Sequence, residues 1–261
     1  MPALPPKLSL RDIRKSFATR EGPVRVLDGL TFDILEGDFV SIIGPSGCGK
    51  TTIFNIIAGL VPPDSGTLTY QGALVAGLRG RVGYMMQKDL LLPWRSVLDN
   101  VVLGLEIRGV DAQEARDKAR HYLDLYGLGG FENAYPRALS GGMRQRAALI
   151  RTLITDPDIL LLDEPFSALD YQTRLYLEGV LMEAVAEFNK TVVLVTHDID
   201  EAVALSRRVV VLNQRPTTVK AVYDIDIREH SPIGARSDPR FSGYFKSLCG
   251  ELDIQTGRVD A

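Results

Sequence analysis

Cysteine is scarce in this chain, tryptophan scarcer, and long apolar runs are missing. With only two cysteines, Cys48 and Cys249, in 261 residues, no disulfide framework can hold the fold together, and a reducing, cytosolic setting fits. No stretch approaches the roughly 20 consecutive apolar residues that a bilayer-spanning helix needs. The opening MPALPPKLSL lacks the apolar centre of a secretion signal. If the chain serves a membrane process, another chain must supply the spanning helices. Positive charge is not in excess either: the net charge is −3, so nothing marks the whole chain as a nucleic-acid binder. Internal repeats and low-complexity segments are absent. What remains is ordinary globular composition, 45% hydrophobic and 24% charged, at a length that suits one large domain or a domain with an insert.

The first third reads as strands. KLSLRDIRKSF and VRVLDGLTFDI alternate apolar and polar residues. DFVSIIG is a continuous apolar run ending in glycine, the pattern of a buried parallel strand. GTLTYQG and RVGYMMQ are shorter strand candidates. The middle changes character. SVLDNVVLGLEIRG opens with Ser96 and has Asp99 three residues on, a capping box, and then repeats apolar residues at helical spacing. AQEARDKARHYLDLYG continues in that style, so residues 88 to about 138 form a helical insert. From Ile159 strands and helices alternate again, with DILLLDEP, KTVVLVTHD and RRVVVLNQ as strands and TTVKAVYDIDI as one or two more. DPRFSGYFKSLCGELD, near the end, predicts a short amphipathic helix.

GPSGCGKTT matches the phosphate-loop pattern G-x-x-x-x-G-K-[ST], with a strand before it and an apolar helical run after it. Gly44, Pro45, Ser46, Gly47, Cys48 and Gly49 form the loop, whose backbone N–H groups turn toward phosphate oxygens at a helix N-terminus. Lys50 reaches the terminal phosphates of ATP, Thr51 completes the pattern and ligates Mg²⁺ through its hydroxyl, and Thr52, the next residue, is read as a nucleotide-binding residue with them. In ILLLDEP two carboxylates close a buried strand. Asp163 is placed to hold the metal. Glu164, one residue on, points elsewhere and can polarise a water aimed at the γ-phosphate. Gln87 and His197 each end a strand. The amide of Gln87 can meet the metal or the attacking water, and His197 can sense the γ-phosphate from the strand beside Asp163. His121 and His230 read as structural. Phe17, before the flexible ATREGP, is either an adenine-stacking aromatic or a strand-end core residue.

LSGGMRQRAAL is a second glycine-rich helix start, with no lysine after it. By itself it is a helix N-cap. Since one chain already has its phosphate loop, Ser140, Gly141 and Gly142 make sense as a cap over the nucleotide held by another copy, in an isologous, head-to-tail dimer. SALD, closely following Glu164, would carry contacts across the same joint.

GPSGCGKTT, Gln87, LSGGM, LLLDEP, SALD and His197, in this order, resemble the nucleotide-binding subunit of an ABC transporter over nearly the whole chain. QKDLLLPWRSVLDNVVLGLEIRG, DEPFSALDYQTR and VTHDIDEAVALSRRVVVLNQRP, with Met143 where many such proteins have glutamine, are similar to the nitrate, sulfonate and taurine importer group. The resemblance implies an α/β fold: a P-loop NTPase (RecA-like) core with an antiparallel β-subdomain (7–87 and 155–230), an inserted helical subdomain (88–154) and a C-terminal tail (231–261). It implies ATP hydrolysis with Mg²⁺, Phe17 as the adenine-stacking residue and Glu164 as catalytic base. It also implies a homodimer bound to permease subunits and served by a solute-binding protein, at the cytoplasmic face of the membrane. The apolar loop LLLPW, with the only tryptophan, predicts a docking groove for a permease helix, or else packs against the insert. A soluble ABC ATPase of DNA repair or translation would carry a long coiled-coil insert or tandem cassettes. A P-loop kinase would need neither LSGGM nor Glu164, and measured turnover would separate an enzyme from a non-enzymatic switch.

Overall fold

The structure, a computed structural model, describes residues 5–187, 189–227 and 231–253. Two long strands open it, β1 (Leu8–Thr19) and β2 (Gly22–Ile34). They are joined by a two-residue turn at Arg20 and Glu21, with Thr19 paired to Gly22. The expectation that ATREGP is flexible is therefore corrected. Ala18 and Thr19 stay in the ladder, and Gly22, at φ 119°, takes a backbone conformation closed to most residues with a Cβ.

Next come β3 (Phe39–Ile43), α1 (Lys50–Ile57), β4 (Ser65–Tyr70), β5 (Ala73–Val75) and β6 (Val82–Met85). The helical middle holds α2 (Val97–Ile107), α3 (Ala112–Leu125) and α4 (Gly141–Leu153). Then follow β7 (Ile159–Asp163), α5 (Tyr171–Glu187), β8 (Thr191–Val195), α6 (Ile199–Leu205), β9 (Arg208–Leu212), β10 (Val219–Asp224), α7 (Pro232–Ser237) and α8 (Phe241–Glu251). Helix α8 is the helix expected near the end. His230 and residues 254–261 lie outside the described residues.

Four strands make an antiparallel sheet in the order β2-β1-β4-β5. Six make the main sheet in the order β10-β9-β3-β8-β7-β6, parallel except for β10 at its edge. The central strands β3, β7 and β8 are buried along their whole length, as continuous apolar runs predict. In β7 the side chains alternate between two cores. Ile159 and Leu161 join the core around α1 and the antiparallel sheet, where Leu10, Leu30, Ile53 and Phe54 are buried. Leu160 and Leu162 join the core under the helical middle, with Val101, Leu123, Leu149 and Leu181. A third core binds α6, α7 and α8 to β9 through Val203, Val209, Phe241 and Leu248. Among the described residues no helix is long and apolar enough to cross a membrane.

Of the capping box the N-cap half holds, while the Asp99 carboxylate meets the Ser96 hydroxyl in place of the Ser96 backbone N–H. Ser96 accepts the Asp99 N–H, and its hydroxyl donates to the Asp99 carboxylate at 2.7 Å. The loop before it is built around buried Asn100, whose amide bonds to Leu92, Arg95 and Ser96 backbone groups. LLLPW is therefore an ordered loop. Leu91 is buried in the core, while Leu90 and Trp94 are exposed, Trp94 to 72%.

Candidate functional site

Strand order decides the site. β3, β8, β7 and β6 are parallel neighbours, so the segments leaving their C-terminal ends meet along one edge of the sheet. Those segments carry the phosphate loop, His197, the pair Asp163 and Glu164, and Gln87. His197 does follow the strand beside the one that carries Asp163. Gln87 and His197 lie two residues beyond their strands, which end at Met85 and Val195. That offset frees both from the ladder to turn toward Glu164.

A cavity of about 580 Å³ opens there, lined by Ser46, Gly47, Gly49, Lys50, Thr51, Thr52, Gln87, Asp163, Glu164, His197 and Arg215. Gly49, at φ 119°, begins α1, and a Cβ on it would lie 2.7 Å from Val26 Cγ1. Only glycine fits where the loop passes beneath β2. Lys50 Nζ donates to the carbonyls of Gly44 at 2.7 Å and Pro45 at 3.1 Å. Its ammonium is thus folded back over the loop, at the rim of the cavity. Gly44 and Pro45 supply these acceptors and do not line the cavity.

Cys48 turns its side chain away from the cavity. Its side chain is 2% exposed and belongs to the core around α1. Burial pushes its thiol up from the ordinary range, with the Lys50 charge opposing. The reason is local: the Cys48 N–H turns back onto the Pro45 carbonyl at 3.2 Å, and the side chain packs inward. A bulky reagent therefore does not meet Cys48 from the cavity side.

Thr51 Oγ1 donates to Asp163 Oδ2 at 3.0 Å. Asp163 is 2% exposed, and burial raises its carboxyl above the usual range while the Thr51 hydrogen bond opposes that rise. Hydroxyl and carboxylate are hard oxygen donors, the set that Mg²⁺ takes together with water and phosphate. The donor chemistry fits the ion, and a single carboxylate is what a site shared with a polyphosphate requires.

Glu164 has a left-handed backbone, φ 52°, rare for a residue with a side chain. Its N–H donates to Val195 O at 2.8 Å, which pins the strained residue to β8. The carboxylate accepts from Gln87 Nε2 at 3.0 Å, and its other oxygen lies 3.5 Å from His197 Nδ1. Two residues singled out from sequence, Gln87 and His197, converge on the carboxylate of a third, Glu164. The arrangement can orient a water and accept its proton.

Ser140 caps α4 by accepting the Met143 N–H at 3.2 Å. Gly142 packs so closely that a Cβ would stand 3.0 Å from Leu169 Cδ2 and 3.3 Å from the Ala168 carbonyl. Within one chain, Ser140, Gly141 and Gly142 are not part of the phosphate-loop cavity. Gly141 instead borders a groove of about 380 Å³ with Gln87, Lys88, Asp89, Leu90, Arg144 and Ser167. Gln87 lines both. Phe17 is not among the residues lining the cavity; it stands near the end of β1, 39% exposed, opposite Val24 and with Lys15 Nζ 5.5 Å from its ring centre. Its exposure excludes the core reading. His121 is an exposed residue of α3.

Some functional contacts were not legible. Gln145 is a helix glutamine only 5% exposed. Its Nε2 donates to the Glu164 carbonyl at 2.8 Å and its Oε1 accepts the Ala168 N–H at 2.9 Å, so α4 grips the segment that carries Glu164. Arg144 bonds to Asp89 at 3.2 Å, and Arg151 bonds to the carbonyls of Asp89 and Leu90. The segment after Gln87 is thereby tied to α4. Arg215 also lines the cavity and was not foreseen, because nothing in its neighbourhood marks a phosphate loop.

A family profile described as ABC transporter matches residues 27–167. An uncharacterized ABC transporter ATP-binding protein of Bacillus subtilis is 44% identical over 239 residues, 91% of this chain and 92% of that one. The taurine import ATP-binding protein TauB of Rhizobium johnstonii is 44% identical over 238 residues, 90% and 91% of the two chains. The aliphatic sulfonates import ATP-binding protein SsuB of Bacillus cereus is 39% identical over 217 residues, covering 83% and 85%. Among solved structures, a dimeric ATP-binding cassette in a post-hydrolysis state, bound to ADP and phosphate, superimposes with a TM-score of 0.78. It is 32% identical and covers 84% of this chain and 99% of that one.

Proposed function

The chain belongs to the ABC transporter family as an ATP-binding subunit and is an ATPase, and we propose that it powers a membrane importer for a small solute of the taurine and aliphatic sulfonate kind. Two copies close head to tail on two ATP molecules. In each site Lys50 exchanges the Gly44 and Pro45 carbonyls for phosphate oxygens. Ser140, Gly141 and Gly142 of the other copy cap the γ-phosphate. Phe17 offers its exposed ring to the adenine. Thr51 and Asp163, with Gln87 beside them, would hold Mg²⁺, which neutralises charge on the terminal phosphates. Glu164 takes a proton from water as its oxygen attacks the γ-phosphorus and ADP leaves. His197 and Gln87 hold Glu164 in place for that step. The dimer, its permease and a solute-binding protein make up the transporter, with this subunit at the cytoplasmic face.

One relationship carries the coupling to a permease. Gln87 touches the Glu164 carboxylate, and the chain running from it to Trp94 is pinned to α4 by Arg144 and Arg151. A change at Glu164 is therefore passed mechanically to an exposed apolar loop. The importer names of the relatives favour this reading over a soluble ABC ATPase. Reconstitution with the permease subunits tests it: ATP turnover should rise on assembly and should drive solute uptake. Turnover that ignores every candidate permease would support the soluble alternative.

A further inference from the structure

Residues 213–218, between β9 and β10, run alongside the phosphate loop. Thr217 donates its hydroxyl to the Cys48 carbonyl, and Arg215 donates Nε to the Gly47 carbonyl. Two backbone acceptors of the loop are thus occupied from one segment, far away in sequence. Thr217 is buried, and its backbone also pairs with β2, accepting the Asp28 N–H at 3.0 Å and donating to the Val26 carbonyl at 2.8 Å. Arg215 is exposed, and its guanidinium also lines the 580 Å³ cavity beside Ser46, Lys50 and Thr52. A Cβ placed on Gly47 would stand 3.3 Å from Arg215 Nη2, so the fork lies close against the loop. Arg174, Arg208, Arg236 and Arg240 each face a carboxylate. Among the described residues Arg215 has no such partner. Its bond to a carbonyl uses one donor and leaves the charge unmatched.

We propose that Arg215 is a second phosphate-binding cation of the nucleotide site, adding a planar fork where Lys50 adds a point charge. The inference rests on reading this cavity as the ATP site. A guanidinium held at Nε keeps its terminal nitrogens free for paired hydrogen bonds to phosphate oxygens. Its contribution goes to the phosphates beyond the first, so it favours di- and triphosphates over monophosphates.

The test is displacement of a fluorescent ATP analogue by ATP, ADP and AMP from the full-length protein, its Arg215→Ala and Arg215→Lys variants, and Lys50→Ala. Arg215→Ala should weaken ATP and ADP about tenfold, with AMP changed less than about twofold. Arg215→Lys should recover part of the loss, since charge returns without the fork. Equal weakening of all three nucleotides would mean that Arg215 only holds the Gly47 carbonyl, and would overturn the proposal. So would unchanged ATP affinity in Arg215→Ala while Lys50→Ala loses it. Unchanged affinity in both variants would overturn the ATP site itself.

Discussion

The hydroxyl of Thr196 donates to the carboxyl of Glu201, at the foot of the turn that carries His197. Glu201 is buried, and burial pushes its carboxyl up to about 8. Thr196 opposes the rise, Glu178 and Asp198 add to it, and Arg174 opposes it; Arg236 in turn pairs with Glu178. A carboxyl raised in the folded state contributes stability fully below its ordinary range. That contribution is lost as pH climbs through about 8. Glu201→Gln keeps the shape without the titration. Its Tm should therefore gain on wild type, by several degrees, between pH 5 and pH 9. A constant gap across that range would remove the buried carboxyl from the account.

Glu164→Gln should bind ATP as wild type does and lose at least about a hundredfold in turnover, because an amide cannot accept the proton of water. With hydrolysis blocked, ATP should drive the protein into a dimer visible by light scattering. Wild-type turnover in this variant would end the base assignment.

Trp94→Ala should cut solute uptake by the assembled transporter about tenfold while basal ATP turnover changes less than twofold, since an exposed aromatic anchor contributes to docking and not to the site. Parallel measurement of uptake and phosphate release decides it. Equal losses in both would place Trp94 in the fold of the loop instead.

Gln145→Leu removes three hydrogen bonds, two donated by Nε2 to the Glu164 carbonyl and the Ser167 hydroxyl and one accepted by Oε1, and strands the Ala168 N–H and one lone pair of the Glu164 carbonyl. About 1–3 kcal/mol of stability should go with them, readable by urea denaturation. Turnover should fall as well, because the segment bearing Glu164 loses its hold on α4. Gln145→Glu should not restore the stability, because a buried carboxylate cannot donate to the Glu164 carbonyl 2.8 Å away.

Cys48 should react with a bulky maleimide far more slowly than an exposed thiol, and faster as pH rises, since burial disfavours its thiolate. Mass spectrometry of the intact protein reads the rate. Rapid labelling that ATP prevents would return Cys48 to the cavity.

Much of this was legible because local pattern and chemistry agree. β7 is five apolar or acidic residues with no break, and a buried parallel strand ending in carboxylates has no other simple reading. The phosphate loop was legible because its glycines, lysine and threonine lie in one window. The convergence of Gln87, His197 and Glu164 needed only the order of parallel strands. Gln145 was hidden because its partner Ala168 lies 23 residues away, and a glutamine on a helix looks solvated until that partner is placed. Arg215 was hidden more deeply, since the carbonyl it meets belongs to a residue 168 positions earlier. The direction of the Cys48 side chain was hidden because membership in a motif says where the backbone goes and leaves the side chain free to face inward.

Strand β7 hands alternate side chains to two separate cores. A slip of one residue along its neighbours would exchange the two sets and carry Asp163 away from Thr51. The aim of the acidic pair is thus locked by hydrocarbon packed on both faces of the sheet, well away from any phosphate. Small apolar changes deep beneath the pocket, Leu161 to valine for one, should then blur the alignment of the reacting groups before they unfold the domain.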